Sequence, residues 1–243
     1  MNNLLNNSNF VCRKCSGVIE QTNKAIEKIK IGSDSFEVVP SFRYLGDTFG
    51  NCGGCSDAVS TRIIAAWRAF RELLPILTNR AIRTKLRGNV HNACVRKVLL
   101  YGSETWPVLN EDIQRIVTAD NGMTRWICGV SLKDQIPTAD LPLRLGLDSI
   151  KDVLRWNRLL YYGHLLRMDD DVWPKKANLF HVDGSQPKGR PRKRLSDVLK
   201  ADMRALKLSN EDANNRGKWR QAVKPVRKIQ HVGVLPAHVD PGR

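Results

Sequence analysis

The chain has 243 residues, of which 42% are hydrophobic and 26% charged, so it can bury the core of one or two globular domains and is not a disordered tail. Lys and Arg number 40 against 24 Asp and Glu, a formal charge of +16 that exceeds what solubility requires and favours a polyanionic partner. The basic excess is concentrated towards the C-terminus: 19 basic and 14 acidic residues precede position 151, and 21 and 10 follow.

The sequence lacks the signals of a membrane or secreted protein. No apolar run approaches the roughly 20 residues of a membrane helix, and the first ten residues do not resemble a signal peptide. We therefore expect an intracellular protein, nuclear and cytoplasmic, with no membrane partner. In a reducing compartment its six cysteines favour metal or redox sites over disulfides.

The first predicted elements are strands. Ile29, Ile31, Phe36 and Val38 alternate with polar residues around a Gly-Ser-Asp turn, and FRYLGDTF follows, which predicts two or three short strands. From Ser56 onward the apolar spacing becomes three or four residues, as in helices. The expected fold is mainly α with a small N-terminal antiparallel β-hairpin (α+β), in which a helical bundle is followed by C-terminal helices.

Two helices are predicted before residue 102. The first begins at Ser56 and should end or kink at Leu74, because Pro75 lacks a backbone donor. The second begins near Ala81, with Asn79 as its cap, and ends before Gly102. Its apolar positions repeat every four residues and predict its buried face: Ile82, Leu86, Val90, Cys94 and Val98.

Further helices are predicted from similar spacing. A third, from Ile113 to Ile127, should be interrupted near Asn121 and Gly122. A fourth of about 20 residues should start behind a capping box of Ser149 and Asp152, with His164 on its apolar face. After a basic linker come a helix through Val198 and Leu206 and a last helix that Ser209 and Asp212 would cap, ending at Pro225.

The basic linker contains the strongest local signal, KGRPRKR. Lys188, Arg190, Arg192, Lys193 and Arg194 place five cations within seven residues. Pro191 favours an extended backbone, and Gly189 has no side chain, so the segment is narrow. It therefore resembles an AT-hook that enters an A·T minor groove. Phosphate contact without sequence preference is the favoured alternative, because the same charges satisfy it, and a nuclear address is another.

The cysteines form two CxxC pairs, Cys12 with Cys15 and Cys52 with Cys55, which together would supply four thiolates for zinc. The intervening 36 residues exceed the usual spacing of about 15–20, although a hairpin would still bring the pairs together. Alternatively, Cys12 and Cys15 are half of a site and Cys52 and Cys55 lie in a Gly-rich turn. Cys94 and Cys128 are expected in the core.

No catalytic constellation is predicted. Metal-dependent phosphoryl transfer needs carboxylates that converge on divalent ions. The one obvious acidic cluster, Asp169 to Asp171, follows a helix and is interpreted as a solvated turn. The five histidines have no ligand spacing.

Several segments in series resemble the region downstream of the palm in reverse transcriptases of non-LTR (LINE-type) retrotransposons. They lie between about residues 36 and 223: FRYLGDTF, LLYGSETWPV, RWICGVSLKDQI, LPLRLGLDSIKDVLRWNRLLYYGHLLRM and KGRPRKR. The resemblance implies that Phe42, Tyr44, Leu45 and Gly46 form the primer grip, that the following helices form the thumb, and that the basic region contacts RNA or DNA. It also favours Cys12 and Cys15 as the final pair of a zinc finger.

The resemblance implies a domain organisation: a zinc-finger and palm remnant with the primer grip at 1–55, a thumb-like domain at 56–180, a basic linker at 181–195, C-terminal helices at 196–225 and a disordered tail at 226–243. The catalytic Asp pair and its Mg²⁺ would belong to an upstream segment, so the chain would hold a template–primer duplex without polymerising. Its partners would be RNA and DNA, with no small-molecule substrate of its own.

Two other functions remain open. One is a stand-alone DNA-binding regulator with a zinc ribbon closed by Cys12, Cys15, Cys52 and Cys55. The other is a structural or interaction protein whose charges only solvate helix faces, which predicts no affinity for nucleic acid.

Overall fold

The structure is a computed structural model, and it describes residues 28–50, 54–179 and 194–224. The chain divides into two compact units, residues 1–62 and 63–243, with the boundary inside one helix. The fold is mainly α with antiparallel β-structure near the N-terminus, as predicted. The β-structure comprises two hairpins with four strands, whereas a single hairpin with two or three short strands was predicted.

Each hairpin is a separate two-stranded sheet. Strand β1 (Lys28–Ile31) pairs with β2 (Asp34–Glu37), and Ile29 lies opposite Phe36. Strand β3 (Ser41–Tyr44) pairs with β4 (Asp47–Gly50), and Phe42 lies opposite Phe49. Two-residue turns connect the strands, and the first lies at Gly32 and Ser33, where the Gly-Ser-Asp signal predicted it.

Helices account for most of the remaining described residues. They are α1 (Ser56–Glu72), α2 (Leu74–Leu77), α3 (Thr84–Val90), α4 (Arg96–Leu99), α5 (Asn110–Cys128), α6 (Asp140–Leu145), α7 (Ile150–Leu166), α8 (Trp173–Leu179), α9 (Leu195–Leu206) and α10 (Arg216–Val223). A π-helical turn, His91–Val95, joins α3 to α4, and single 3₁₀ turns lie at Ser103–Thr105, Leu132–Asp134 and Glu211–Asn214. Among the helices of the described ranges, none has both the length and the apolar character that a bilayer crossing requires.

The first predicted helix boundary is confirmed and the second is displaced. Helix α1 ends at Glu72, and α2 begins at Leu74 with Pro75 in its first turn, where the missing donor is tolerated. Asn79 accepts a hydrogen bond from the backbone N–H of Ala81 at 2.9 Å, but this interaction forms a turn, and α3 begins three residues later at Thr84.

The predicted interruption at Asn121 and Gly122 is wrong, because α5 runs unbroken from Asn110 to Cys128. A Cβ at Gly122 would lie 3.4 Å from the indole of Trp67, so the glycine allows α5 to approach that side chain closely. Met123, next to it, is fully buried. Burial of this helix face outweighs the cost of about 1 kcal/mol for glycine in a helix.

The C-terminal helices share a hydrophobic core with α7. Its buried members come from α7, α9, the last 3₁₀ turn and α10: Leu159, Leu199, Met203, Ala213, Trp219 and Val223. The indole Nε1 of Trp219 donates a hydrogen bond to the carbonyl oxygen of Leu159 at 2.9 Å. Gly163 provides the space for that indole, since a Cβ there would collide with it. The helices after residue 195 therefore belong to the same compact unit as α7.

Capping differs from prediction at two helices. Helix α7 has 17 residues, not about 20, and the Ser149 side chain does not cap it. His164, in the last turn of α7, was expected to pack on the apolar face and is exposed. Asp212 does accept hydrogen bonds from Ser209, at 2.7 Å from N and 2.9 Å from Oγ, but these begin only a 3₁₀ turn. Asn215 caps the separate helix α10.

Candidate nucleic-acid interface

The apex of the β3–β4 hairpin is a two-residue turn with two positive φ angles. Leu45 has φ 48° and Gly46 has φ 80°, as a type I′ turn requires. Glycine adopts this conformation without strain, whereas a bulky residue such as leucine rarely does. Leu45 is also 72% exposed, so no packing contact accounts for a strained leucine at this position. Backbone strain of this kind is typical of functional sites.

The hairpin lies close to the first turns of α1. The hydroxyl groups of Thr48 and Thr61 are 3.1 Å apart and share a hydrogen bond. A Cβ at Gly46 would lie 3.2 Å from a guanidinium nitrogen of Arg62, so the turn approaches that side chain closely. At the other end of β4, a Cβ at Gly50 would lie 2.8 Å from the Asp57 carboxylate. These close approaches fix the hairpin against the helix that follows it.

One face of the hairpin consists of exposed aromatic rings. Phe42 and Tyr44 are each 58% exposed, and their rings stack with centroids 6.4 Å apart and planes 22° apart. Phe49 is opposite Phe42 in the register and 57% exposed. Exposed aromatic rings can stack on nucleic-acid bases or contact sugars.

The hairpins carry no excess of positive charge. Residues 28–50 contain three basic residues, Lys28, Lys30 and Arg43, and three acidic residues, Asp34, Glu37 and Asp47. A contact of this region with nucleic acid would therefore depend on stacking and apolar surface, and phosphate contacts would come from other parts of the chain.

Most of the predicted basic site lies outside the described residues. This applies to Lys188, Arg190, Arg192 and Lys193, and also to the predicted metal ligands Cys12 and Cys15 and to Cys52. Arg194 is described: it precedes α9, is exposed, and donates its backbone N–H to Asp197 Oδ2 at 3.1 Å. The side chain of Cys55, the fourth predicted thiolate, is buried.

Among the residues that the structure describes, no group of side chains is arranged to bind a metal ion. Within residues 28–50, 54–179 and 194–224, no three His, Cys, Asp or Glu side chains converge as ion ligands would. The acidic cluster at 169–171 is exposed, as predicted for a solvated turn. Asp170 and Asp171 form ion pairs with Lys175 and Lys176 at 2.8 and 3.1 Å. The hydrogen bond and charge of Lys175 lower the pKa of Asp170.

The predicted buried face of the α3–α4 segment is wrong. Leu86 is 54% exposed, Cys94 is exposed, and the other three positions of the four-residue repeat are half-buried. The buried positions instead include the charged or polar side chains of Arg87, His91 and Arg96. Cys128, also expected in the core, is half-buried.

Asp120 of α5 binds two of these polar side chains. Its carboxylate accepts hydrogen bonds from Arg96 Nε and Nη2, at 2.9 and 2.6 Å, and lies 3.1 Å from His91 Nε2. Arg96 Nη1 also donates to the carbonyl oxygen of Asp148 at 2.7 Å. Burial alone would raise the pKa of Asp120, but the hydrogen bonds from His91 and Arg96, together with the Arg96 charge, lower it below its ordinary value.

The π-helical turn explains how His91 and Arg96 reach the same carboxylate. In this turn the backbone N–H of Arg96 donates to the carbonyl oxygen of His91, five residues earlier. Residues five apart are brought to one side, whereas a regular α-helix would separate them. The π-helical turn also changes which later positions of the segment face the core. A four-residue apolar repeat therefore does not identify the buried side. The sequence signal that could have identified the buried side is the row of polar residues at Arg87, His91 and Arg96.

Two further buried arginines are structural. Arg87 Nη1 donates to the carbonyl oxygens of Ile127 and Leu77, at 2.6 and 3.3 Å. Arg158 of α7 donates through Nε and Nη2 to Asp202 of α9, at 3.0 and 2.8 Å. These side chains connect helices of the second unit and are not available to a ligand.

The described residues thus define a mainly helical α+β protein with an exposed aromatic hairpin and buried arginine networks. Comparisons of the chain with protein-family models, with curated proteins and with solved structures found no match.

Proposed function

We propose that the chain binds nucleic acid, as the primer-grip and thumb region of a non-LTR retrotransposon-type reverse transcriptase, and that it holds an RNA–DNA template–primer duplex. The observation that carries this proposal is the apex of the β3–β4 hairpin, where a strained and exposed Leu45 lies beside the stacked rings of Phe42 and Tyr44. These are the residues for which the sequence resemblance implies contact with the primer.

The hairpin and the cations have different tasks in this proposal. The uncharged rings contact a base or sugar at the duplex end, where stacking contributes about 1–3 kcal/mol per base. Basic residues elsewhere, including Arg194 and the segment that precedes it, contact phosphates without reading sequence. The formal charge of +16 supports this division, because a neutral hairpin alone would bind a polyanion weakly.

The test measures binding of the full chain to a labelled RNA–DNA hybrid at low salt. The doubly substituted variant Phe42→Ala with Tyr44→Ala should bind a hybrid with an exposed primer end at least tenfold more weakly, since stacking is worth about 1–3 kcal/mol. Trp173→Ala is the matched control, because it also removes an exposed aromatic ring, on α8. Absence of hybrid binding by the unsubstituted chain would refute the proposal.

The same preparation distinguishes the two other functions. Zinc at one equivalent per chain, with unfolding on chelation, would favour the regulator with four cysteine ligands. No affinity for any nucleic acid at low salt would favour an interaction protein with solvated charges.

A further inference from the structure

Helices α9 and α10 expose a set of cations on the sides that do not contact α7. Their apolar sides are buried in the core around Leu159 and Trp219. Six exposed cations, in α9, in α10 and directly after each helix, are together named the C-terminal cationic surface: Lys200, Arg204, Lys207, Arg216, Arg220 and Lys224. All six side chains are exposed.

Three of the four acidic residues of the segment 194–224 have other partners. Asp202 binds Arg158 at 2.8 Å and Arg155 at 3.5 Å. Asp212 accepts two hydrogen bonds from Ser209, and Asp197 accepts the backbone N–H of Arg194. Within the described parts of the chain, no acidic side chain forms an ion pair with any of the six cations. The positive charge of this surface is therefore not neutralised locally.

Some cations in the earlier helices have an acidic partner. Arg68 forms an ion pair with Glu72 at 3.5 Å, and Lys176 forms one with Asp171 at 3.1 Å. On α9 and α10, Lys200 precedes Arg204 by four residues and Arg216 precedes Arg220 by four. Lys151 and Arg155 of α7 have the same spacing, but Arg155 has acidic partners. Like charges at this spacing repel on a helix surface, so the arrangement lowers helix stability unless an anion binds.

We infer that the C-terminal cationic surface binds the phosphate backbone of a nucleic-acid duplex. This inference rests on the proposed function and assigns part of its phosphate contacts to α9 and α10. Each cation that neutralises a phosphate releases condensed counterions, so the affinity falls linearly with salt on logarithmic axes. Contacts to phosphate carry no sequence preference, and duplexes of different sequence should bind alike.

The experiment compares two double variants with a matched control. Lys200→Gln with Arg204→Gln, and Arg216→Gln with Arg220→Gln, each remove two surface charges. The control, Arg68→Gln with Lys176→Gln, removes two cations that already have ion-pair partners. Affinity for an RNA–DNA hybrid and for a DNA duplex is measured over a salt series, and circular dichroism confirms folding.

Each surface variant should bind more weakly at low salt, and its log–log salt slope should fall by up to about 1.8, since one phosphate contact contributes about 0.9 on duplex DNA. The control should change the slope much less. Both surface variants should melt no lower than the parent, because they remove like-charge repulsion.

Different results overturn different conclusions. If the parent binds duplex and the surface variants keep its slope, the inference is wrong, while the proposed function stands. If the control loses as much as the surface variants, only net charge matters and the surface is not a site. If only anionic lipid vesicles bind, and the same variants weaken that binding, the partner is wrong. If the parent binds no duplex, the proposed function itself fails.

Discussion

Asp120→Asn should destabilise the protein more than any other single replacement of a carboxylate by its amide among the described residues. The carboxylate is 1% exposed and accepts hydrogen bonds from two nitrogens of Arg96, itself 2% exposed. The amide would remove the negative charge and place an NH₂ donor opposite a guanidinium donor. Removing one partner of a buried ion pair costs about 3–5 kcal/mol, because the remaining charge is buried without compensation.

The assay is chemical and thermal unfolding followed by circular dichroism. For a domain of this size, 1 kcal/mol shifts Tm by about 2–4 °C, so Asp120→Asn should lower Tm by roughly 6–20 °C. Asp152→Asn is the control, since that residue forms a half-exposed ion pair with Arg155 worth about 0–1 kcal/mol. A loss below about 1 kcal/mol for Asp120→Asn would refute the assignment of this network as a main stabilising interaction.

The same carboxylate predicts a pH dependence of stability. Its pKa is lowered in the folded state, from an ordinary value of 3.8. The folded state therefore binds its proton less readily than the unfolded state, so the stabilisation is present above the unfolded pKa and is lost as pH falls through the folded pKa. Unfolding free energy measured below pH 4 should fall less steeply in Asp120→Asn than in the parent. Equal slopes would contradict the assignment.

Three further predictions concern single positions. Gly163→Ala should cost about 1–3 kcal/mol in unfolding free energy, because its Cβ would meet the Trp219 indole, whereas Gly217→Ala on the exposed side of α10 should be neutral or stabilising. Trp219→Phe should lower Tm, because it removes the hydrogen bond to the buried carbonyl oxygen of Leu159, a loss of about 1–3 kcal/mol. An unchanged Tm would show that this hydrogen bond does not stabilise the fold. Leu45→Gly should raise stability by about 1 kcal/mol through relief of strain while weakening hybrid binding, and a fall in stability would exclude strain at that turn.

The parts of the fold that could be predicted depend on local interactions. Alternation around Gly32 and Ser33 predicted the first hairpin because a two-residue turn imposes its own backbone geometry. Pro75 predicted the end of α1 because a missing donor acts within one helical turn. The class of fold follows from such signals summed along the chain, and it is confirmed.

The parts that could not be predicted depend on contacts between distant residues. Gly122 does not interrupt α5, because Trp67 packs where a side chain would lie. The buried side of the α3–α4 segment depends on Asp120, 24 residues beyond Arg96, and on a π-helical turn that apolar spacing does not show. Hydrophobic periodicity assumes that polar residues face water, and here arginine and histidine occupy the interior.

The candidate interface also has a part that the sequence indicated and a part that only the structure shows. Phe42, Tyr44, Leu45 and Gly46 were selected by a resemblance between sequences, and the structure adds the positive φ of Leu45 and the exposure of both rings. The C-terminal cationic surface was not selected, because a count of charges along the chain does not separate an ion-paired lysine from one without an acidic neighbour.

Buried arginines also change what the net charge implies. Arg87, Arg96 and Arg158 contribute to the sum of +16, yet their guanidinium groups bind carbonyl oxygens and carboxylates inside the protein. They raise the formal charge without adding to the surface that a phosphate backbone would meet. The segment from 194 to 224 has eight basic and four acidic residues, and its basic side chains are all exposed. An electrostatic partner of the described residues should therefore respond to salt through the exposed cations alone, and this segment supplies eight of them within 31 residues.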